Sequence, residues 1–169
     1  IRLWSVRGSN PAANPIVLTV GTNVVSAFAF SSNNQWLAAA TYGMVRLWNL
    51  SNQAAMTFAS FPEPKGAVSK LEFSRDGRWL LASSFERIGV CDLENNGKTN
   101  LQFLPLISSD AAASFSPDSR WIALGSMHDT AYLWKLSDFD MTNRPFAFKG
   151  NGAPMNLLQF SPKGKFLAV

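Results

Sequence analysis

Ala29-Phe30-Ser31-Ser32, Glu72-Phe73-Ser74-Arg75, Ser114-Phe115-Ser116-Pro117 and Gln159-Phe160-Ser161-Pro162 repeat one pattern. The phenylalanines follow one another at 43, 42 and 45 residues, and six residues after each stands a large ring: Trp36, Trp79, Trp121 and Phe166. Two landmarks locked to one period mark a repeat architecture, in which each unit is a supersecondary element that packs on its neighbours.

One unit shows what repeats. Ala67 to Ser74 alternates apolar and polar residues near its end, with Leu71 and Phe73 on one face, as a half-buried strand does. Arg75-Asp76-Gly77-Arg78 reads as a tight turn, with Gly77 able to take a positive φ. Trp79–Ser84 is a second strand, 88–93 a third and 99–105 a fourth, whose Pro105 suits an exposed edge. The same order predicts strands at 24–31, 36–42, 44–50 and 53–61, and again at 111–116, 121–126, 130–136 and 144–149. Strands at 1–6 and 15–20, and at 155–161 and 166–169, supply half a unit each. No helical period of useful length interrupts them. Four antiparallel strands per unit of this length define an all-β chain of β-propeller blades. The blade units are 24–61, 67–106 and 111–149, with partial units at 1–21 and 154–169. Both ends lie inside repeats. The expectation is therefore an arc of three full and two half blades within a larger ring, rather than two halves closing into a fourth blade.

The bulk composition agrees with one folded domain. The 169 residues are 47% hydrophobic and 15% charged, which excludes disorder by composition. A net charge of +4 comes without a dense Lys/Arg run, so nucleic acid is not an expected partner. One cysteine, Cys91, excludes an internal disulfide and fits a reducing, cytoplasmic setting. No apolar run is long enough for a membrane span.

The blades resemble WD40 repeats. The residues that carry the resemblance are Phe115-Ser116-Pro117-Asp118-Ser119-Arg120-Trp121 with Ala123-Leu124-Gly125-Ser126 and Tyr132-Leu133-Trp134. Phe73-Ser74-Arg75-Asp76-Gly77 and Val45-Arg46-Leu47-Trp48-Asn49 add to it. The resemblance implies a non-catalytic scaffold or sensor that displays loops to a protein or peptide partner, together with the remaining blades of its ring. The chain departs from that pattern: the family's Gly-His dipeptide before the first strand is missing, and two further positions differ. The third-strand Trp position reads Trp4, Trp48, Cys91 and Trp134. The Asp that the family places six residues earlier, in a hydrogen-bonded tetrad, is Tyr42, Phe85 and His128. The tetrad cannot form as the family makes it, so apolar packing between sheets must hold the blades. An alternative resemblance, to TolB and prolyl-oligopeptidase propellers, implies a peptidase or hydrolase domain alongside.

Little in the sequence supports catalysis or a cofactor. The single His128 makes a histidine metal cluster impossible and reads as a turn residue. Cys91 reads as a small buried apolar residue. The acidic residues fall mostly in turns, and no phosphate-binding glycine pattern is present. The recurring rings at Phe30, Phe73, Phe115, Phe160, Trp36, Trp79, Trp121 and Phe166, with Trp48, Cys91 and Trp134, are expected to pack between sheets. By the resemblance, the loops between blades and between second and third strands share one end of the propeller. Tyr42, Phe85, His128, Asn23, Lys65, Asp110 and Asn151 fall there and form the candidate partner-binding face. The first hairpin turns, with Arg75, Arg78, Arg120, Lys163 and Lys165, lie at the other end.

Overall fold

A computed structural model of the chain describes residues 1–6, 10, 14–21, 23–42, 44–51, 58–62, 67–84, 87–94, 102–104, 112–126, 128–138, 144–155 and 157–169. The alternating and β-branched runs form strands, in chain order β1 Arg2–Leu3, β2 Ile16–Val17, β3 Val25–Phe30, β4 Trp36–Thr41, β5 Met44–Asn49 and β6 Phe58–Pro62. There follow β7 Val68–Phe73, β8 Trp79–Ser84, β9 Ile88–Asp92, β10 Gln102–Phe103, β11 Ala113–Phe115 and β12 Trp121–Gly125. The last are β13 Thr130–Lys135, β14 Phe146–Lys149, β15 Gln159–Phe160 and β16 Leu167–Ala168. A 3-10 turn at Leu136–Asp138, with no signal in the sequence pattern, follows β13.

Three antiparallel four-stranded sheets run β3-β4-β5-β6, β7-β8-β9-β10 and β11-β12-β13-β14; these are the first, second and third whole blades. Hairpins β1-β2 and β15-β16 form separate two-stranded sheets. The first strand of each of the first two blades carries an irregularity in register, between Val25 and Ala27 and between Val68 and Lys70. Such bulges bend and twist a strand.

The core lies between sheets. Leu80, Ala82, Cys91 and Val68 of the second blade meet Ala38, Ala40, Val45 and Leu47 of the first. The second blade's other face sets Trp79, Leu81, Ile88 and Val90 against Phe115, Ile122, Leu124 and Trp134 of the third. That two-sided burial is why β8 is buried at every position, with no alternation. Leu37, Ala39 and Trp48 pack against the β1-β2 hairpin with Leu18.

The rings do not share one fate. Trp48, Trp79, Phe115 and Trp134 are buried, and Cys91 with them. Trp36, Phe73, Trp121 and Phe160 are half-buried. Phe30 and Phe166 correct the expectation, being 50% and 66% exposed. Phe28 and Phe30 lie opposite Ala39 and Leu37; the cluster under the β1-β2 hairpin takes in Leu37, Ala39, Trp48 and, from β3, Val25, but neither of these two rings. Phe166 borders an open cleft of about 340 Å³ with Phe148, Leu133 and Val169. A ring at a repeat position is buried only where a neighbouring strand lies across it.

Candidate interaction surface

The turn that opens each blade explains the Phe-Ser pattern. Ser74 is fully buried; its hydroxyl accepts the Trp79 amide at 2.9 Å and donates to Asp76 Oδ1 at 2.5 Å. Asp76 Oδ1 accepts the Arg78 amide at 3.1 Å in turn. Ser31 with Asn33, and Ser116 with Asp118, make the same box. The serine is thus a donor and an acceptor in one buried spot, which no apolar residue can replace. The fourth residue after each Phe has a positive φ: Asn34 57°, Gly77 77°, Ser119 58° and Gly164 67°. At Gly77 a Cβ would also collide with the Asn33 side chain of the preceding blade.

These turns are tied to one another. Ser32 Oγ donates to the Arg75 carbonyl, and the Asp76 amide donates to Ser119 Oγ at 3.0 Å. Between β7 and β11, Lys70 Nζ donates to the Ala113 carbonyl at 2.7 Å and pairs with Glu72 at 2.6 Å. Glu72 Oε1 accepts from the Ser114 hydroxyl and the Phe115 amide, both at 3.2 Å. This polar clasp between β7 and β11 had no counterpart in the sequence reading; Ala27 and Ala29 hold the equivalent places in β3.

Charge is localised at the same end. Burial disfavours the charge of Asp92, yet hydrogen bonds from Arg78 and the Glu94 amide bring its carboxyl below the usual range. The Ser116 hydroxyl, with the Arg120 amide, likewise lowers Asp118. Burial, reinforced by nearby Asp92, pushes the Cys91 thiol up to about 12. Cys91 is only 1% exposed, so a thiol reagent at pH 8 should label the folded chain at less than about one-hundredth of its rate in denaturant. Equal rates in the two conditions would contradict its burial between the first two blades.

At the opposite end, Thr41, Ser84 and Ser126 are buried. Each hydroxyl serves its own turn. Thr41 donates to the Met44 carbonyl at 3.4 Å, Ser84 to that of Arg87 at 3.1 Å, and Ser126 accepts the His128 amide at 3.0 Å. Tyr42 and His128, in the positions of the family's Asp, are exposed.

The candidate face is partly assembled. Asn23 Nδ2 donates to the Tyr42 carbonyl at 3.1 Å, so these two residues meet, and the Tyr42 ring is 74% exposed. His128 and Asn151 belong to loops joined by the Gly150 amide, which donates to the Asp129 carbonyl at 3.1 Å. Asn151 lines an open cleft of about 590 Å³ with Ala153, Pro154, Met155 and Leu157. Phe85, Lys65 and Asp110 lie outside the described residues. Asp129 is a feature that sequence did not single out. Its φ is 58°, and its Oδ1 is buried without a hydrogen-bond partner among the described residues. Among those residues no group of three His, Cys, Asp or Glu side chains could hold a metal ion, and no helix is long and apolar enough to cross a membrane.

Four-stranded antiparallel sheets that stack face to face, joined by short loops at two ends, make this a chain of β-propeller blades. A family model for the WD domain, G-beta repeat, matches residues 16–49 and 108–135, so WD40 repeats stand at two places in the chain. The matched residues take in β2 to β5 and β11 to β13. The second whole blade, with Cys91 where Trp48 and Trp134 stand in its neighbours, falls outside them. No curated protein matches the chain. WD40 repeats indicate a protein-interaction scaffold kind of domain, a kind that is generally non-catalytic.

Proposed function

We propose that the chain is a non-catalytic WD40-type scaffold or sensor that docks a protein or peptide on the end carrying Tyr42, Asn23, His128 and Asn151. The observation that carries this reading is the Tyr42 ring, 74% exposed on a turn that Asn23 pins. An exposed ring on a fixed backbone loses little freedom on binding, which is what a hot spot needs. The buried Cys91, its thiol held at about 12, supports the absence of a thiol nucleophile.

The test is the triple replacement Tyr42→Ala, Phe85→Ala, His128→Ala. A partner recovered on the wild-type chain, and then measured as a purified pair, should lose about tenfold or more in affinity. Thermal unfolding of the variant should stay at the wild-type midpoint. Unchanged affinity would move the site elsewhere.

A further inference from the structure

Between the second and third whole blades, at the end of the sheets away from Tyr42, lies a cleft of about 400 Å³. The hairpin turns that precede β8 and β12 and the 3-10 turn Leu136–Asp138 enclose it. Arg78, Arg120 and Lys135 line it together with Ser119 and Ser137, over an apolar floor of Trp79 and Leu136. Asp76 is the lining's one carboxylate, and its Oδ1 already accepts from Ser74 and the Arg78 amide. Arg78 is paired with Asp92 and Glu94, so the lining's positive excess over the engaged Asp76 comes from Arg120 and Lys135.

The cleft is also preorganised. Arg78 reaches both oxygens of Asp92, at 3.1 and 2.7 Å, and its guanidinium lies 5.1 Å from the centre of the Trp79 ring. The Leu136 amide donates to the Arg120 carbonyl at 2.8 Å and fixes two walls against each other. Ser119 Oγ accepts the Asp76 amide, which leaves its own proton for donation.

We propose that this cleft binds an oxyanion, a carboxylate or phosphate, carried on an acidic peptide segment of a protein partner. Two hydroxyls and neighbouring cations offer the donors that such a group takes. The Trp79 and Leu136 floor suits the aliphatic part of a peptide side chain. Nucleic acid fits less well, because it needs a track of phosphate contacts. Here Asp92 and Glu94 flank Arg78, at 2.7 and 3.5 Å, and interrupt any such track.

The test uses the full chain and two fluorescent peptides, one rich in glutamate and one with a phosphoserine at its centre, with inorganic phosphate and an oligothymidylate as competitors. Binding of either peptide is expected, weakening as salt rises. Arg120→Glu with Lys135→Glu should weaken it about tenfold or more, while Lys163→Glu with Lys165→Glu, outside the cleft, should not. Arg120→Gln with Lys135→Gln serves if charge reversal disturbs folding, with a smaller loss expected. The ratio between peptides, with competition by phosphate, names the oxyanion. Failure of both peptides at low salt, equal binding by both cleft variants, or tighter binding of the oligothymidylate would overturn the proposal. The Tyr42 triple variant should bind these peptides as the wild type does, so the two surfaces fail or stand separately.

Discussion

Leu81→Ala should destabilise the chain by about 2–5 kcal/mol in chemical denaturation. Leu81 has no exposed surface and sits between the second and third blades, against a cluster that includes Ile122, Leu124 and Trp134. Truncation removes the transfer energy of the lost methyl groups and leaves a cavity between two rigid sheets that close poorly over it. Leu157, 83% exposed, provides the comparison: Leu157→Ala should change stability by less than about 0.5 kcal/mol. Leu81→Met, which keeps the volume, should cost under about 1.5 kcal/mol. A loss below about 1 kcal/mol for Leu81→Ala would mean that packing between blades is not what holds them.

Ser74→Ala should cost about 1–3 kcal/mol although it removes a single oxygen. The residue is fully buried, and its loss removes the Trp79 amide's hydroxyl acceptor, while Asp76 Oδ1 loses one donor and keeps the Arg78 amide. An unmade buried hydrogen bond costs more than a made one contributes. The damage should be local, with hydrogen exchange at the Trp79 amide accelerating before that of the β8 interior. Asp76→Asn keeps an oxygen acceptor, as Asn33 does in the first blade, and should cost less than Ser74→Ala. If Ser74→Ala leaves both stability and Trp79 exchange unchanged, the serine of the repeat is not the hinge of its turn.

The serine shows why so much of the fold was legible. Its role depends on partners two and five residues away, and relations that short survive in a linear sequence. The strands of the whole blades were legible for the same reason, since alternation and turn residues are local. Phe30 and Phe166 show the limit. Each occupies a position whose equivalents, Phe115 and Trp79, are buried, and the difference lies in what the next sheet covers. The Lys70–Glu72 clasp was hidden too, because its acceptor and one of its two donors are backbone groups of β11 that any residue would supply. On the candidate face, Asn23 and Tyr42 were set at one end by the family resemblance, and a hydrogen bond joins them. The orphan oxygen of Asp129 had no sequence signal, since burial of one atom follows from the close approach of the Gly150 loop.

The bonds that tie neighbouring turns bear on how fast the chain folds. Ser32 to Arg75, Lys70 to Ala113, Asp76 to Ser119 and Glu72 to Phe115 each span 43 residues. Bringing one blade onto the next therefore carries the same loop-closure entropy at every step, and none of these contacts waits for a distant part of the chain. Folding can start at any adjacent pair and spread, with a barrier set by one pair of blades. A longer array of such blades would gain stability without a matching loss of speed, until the step that joins its first blade to its last.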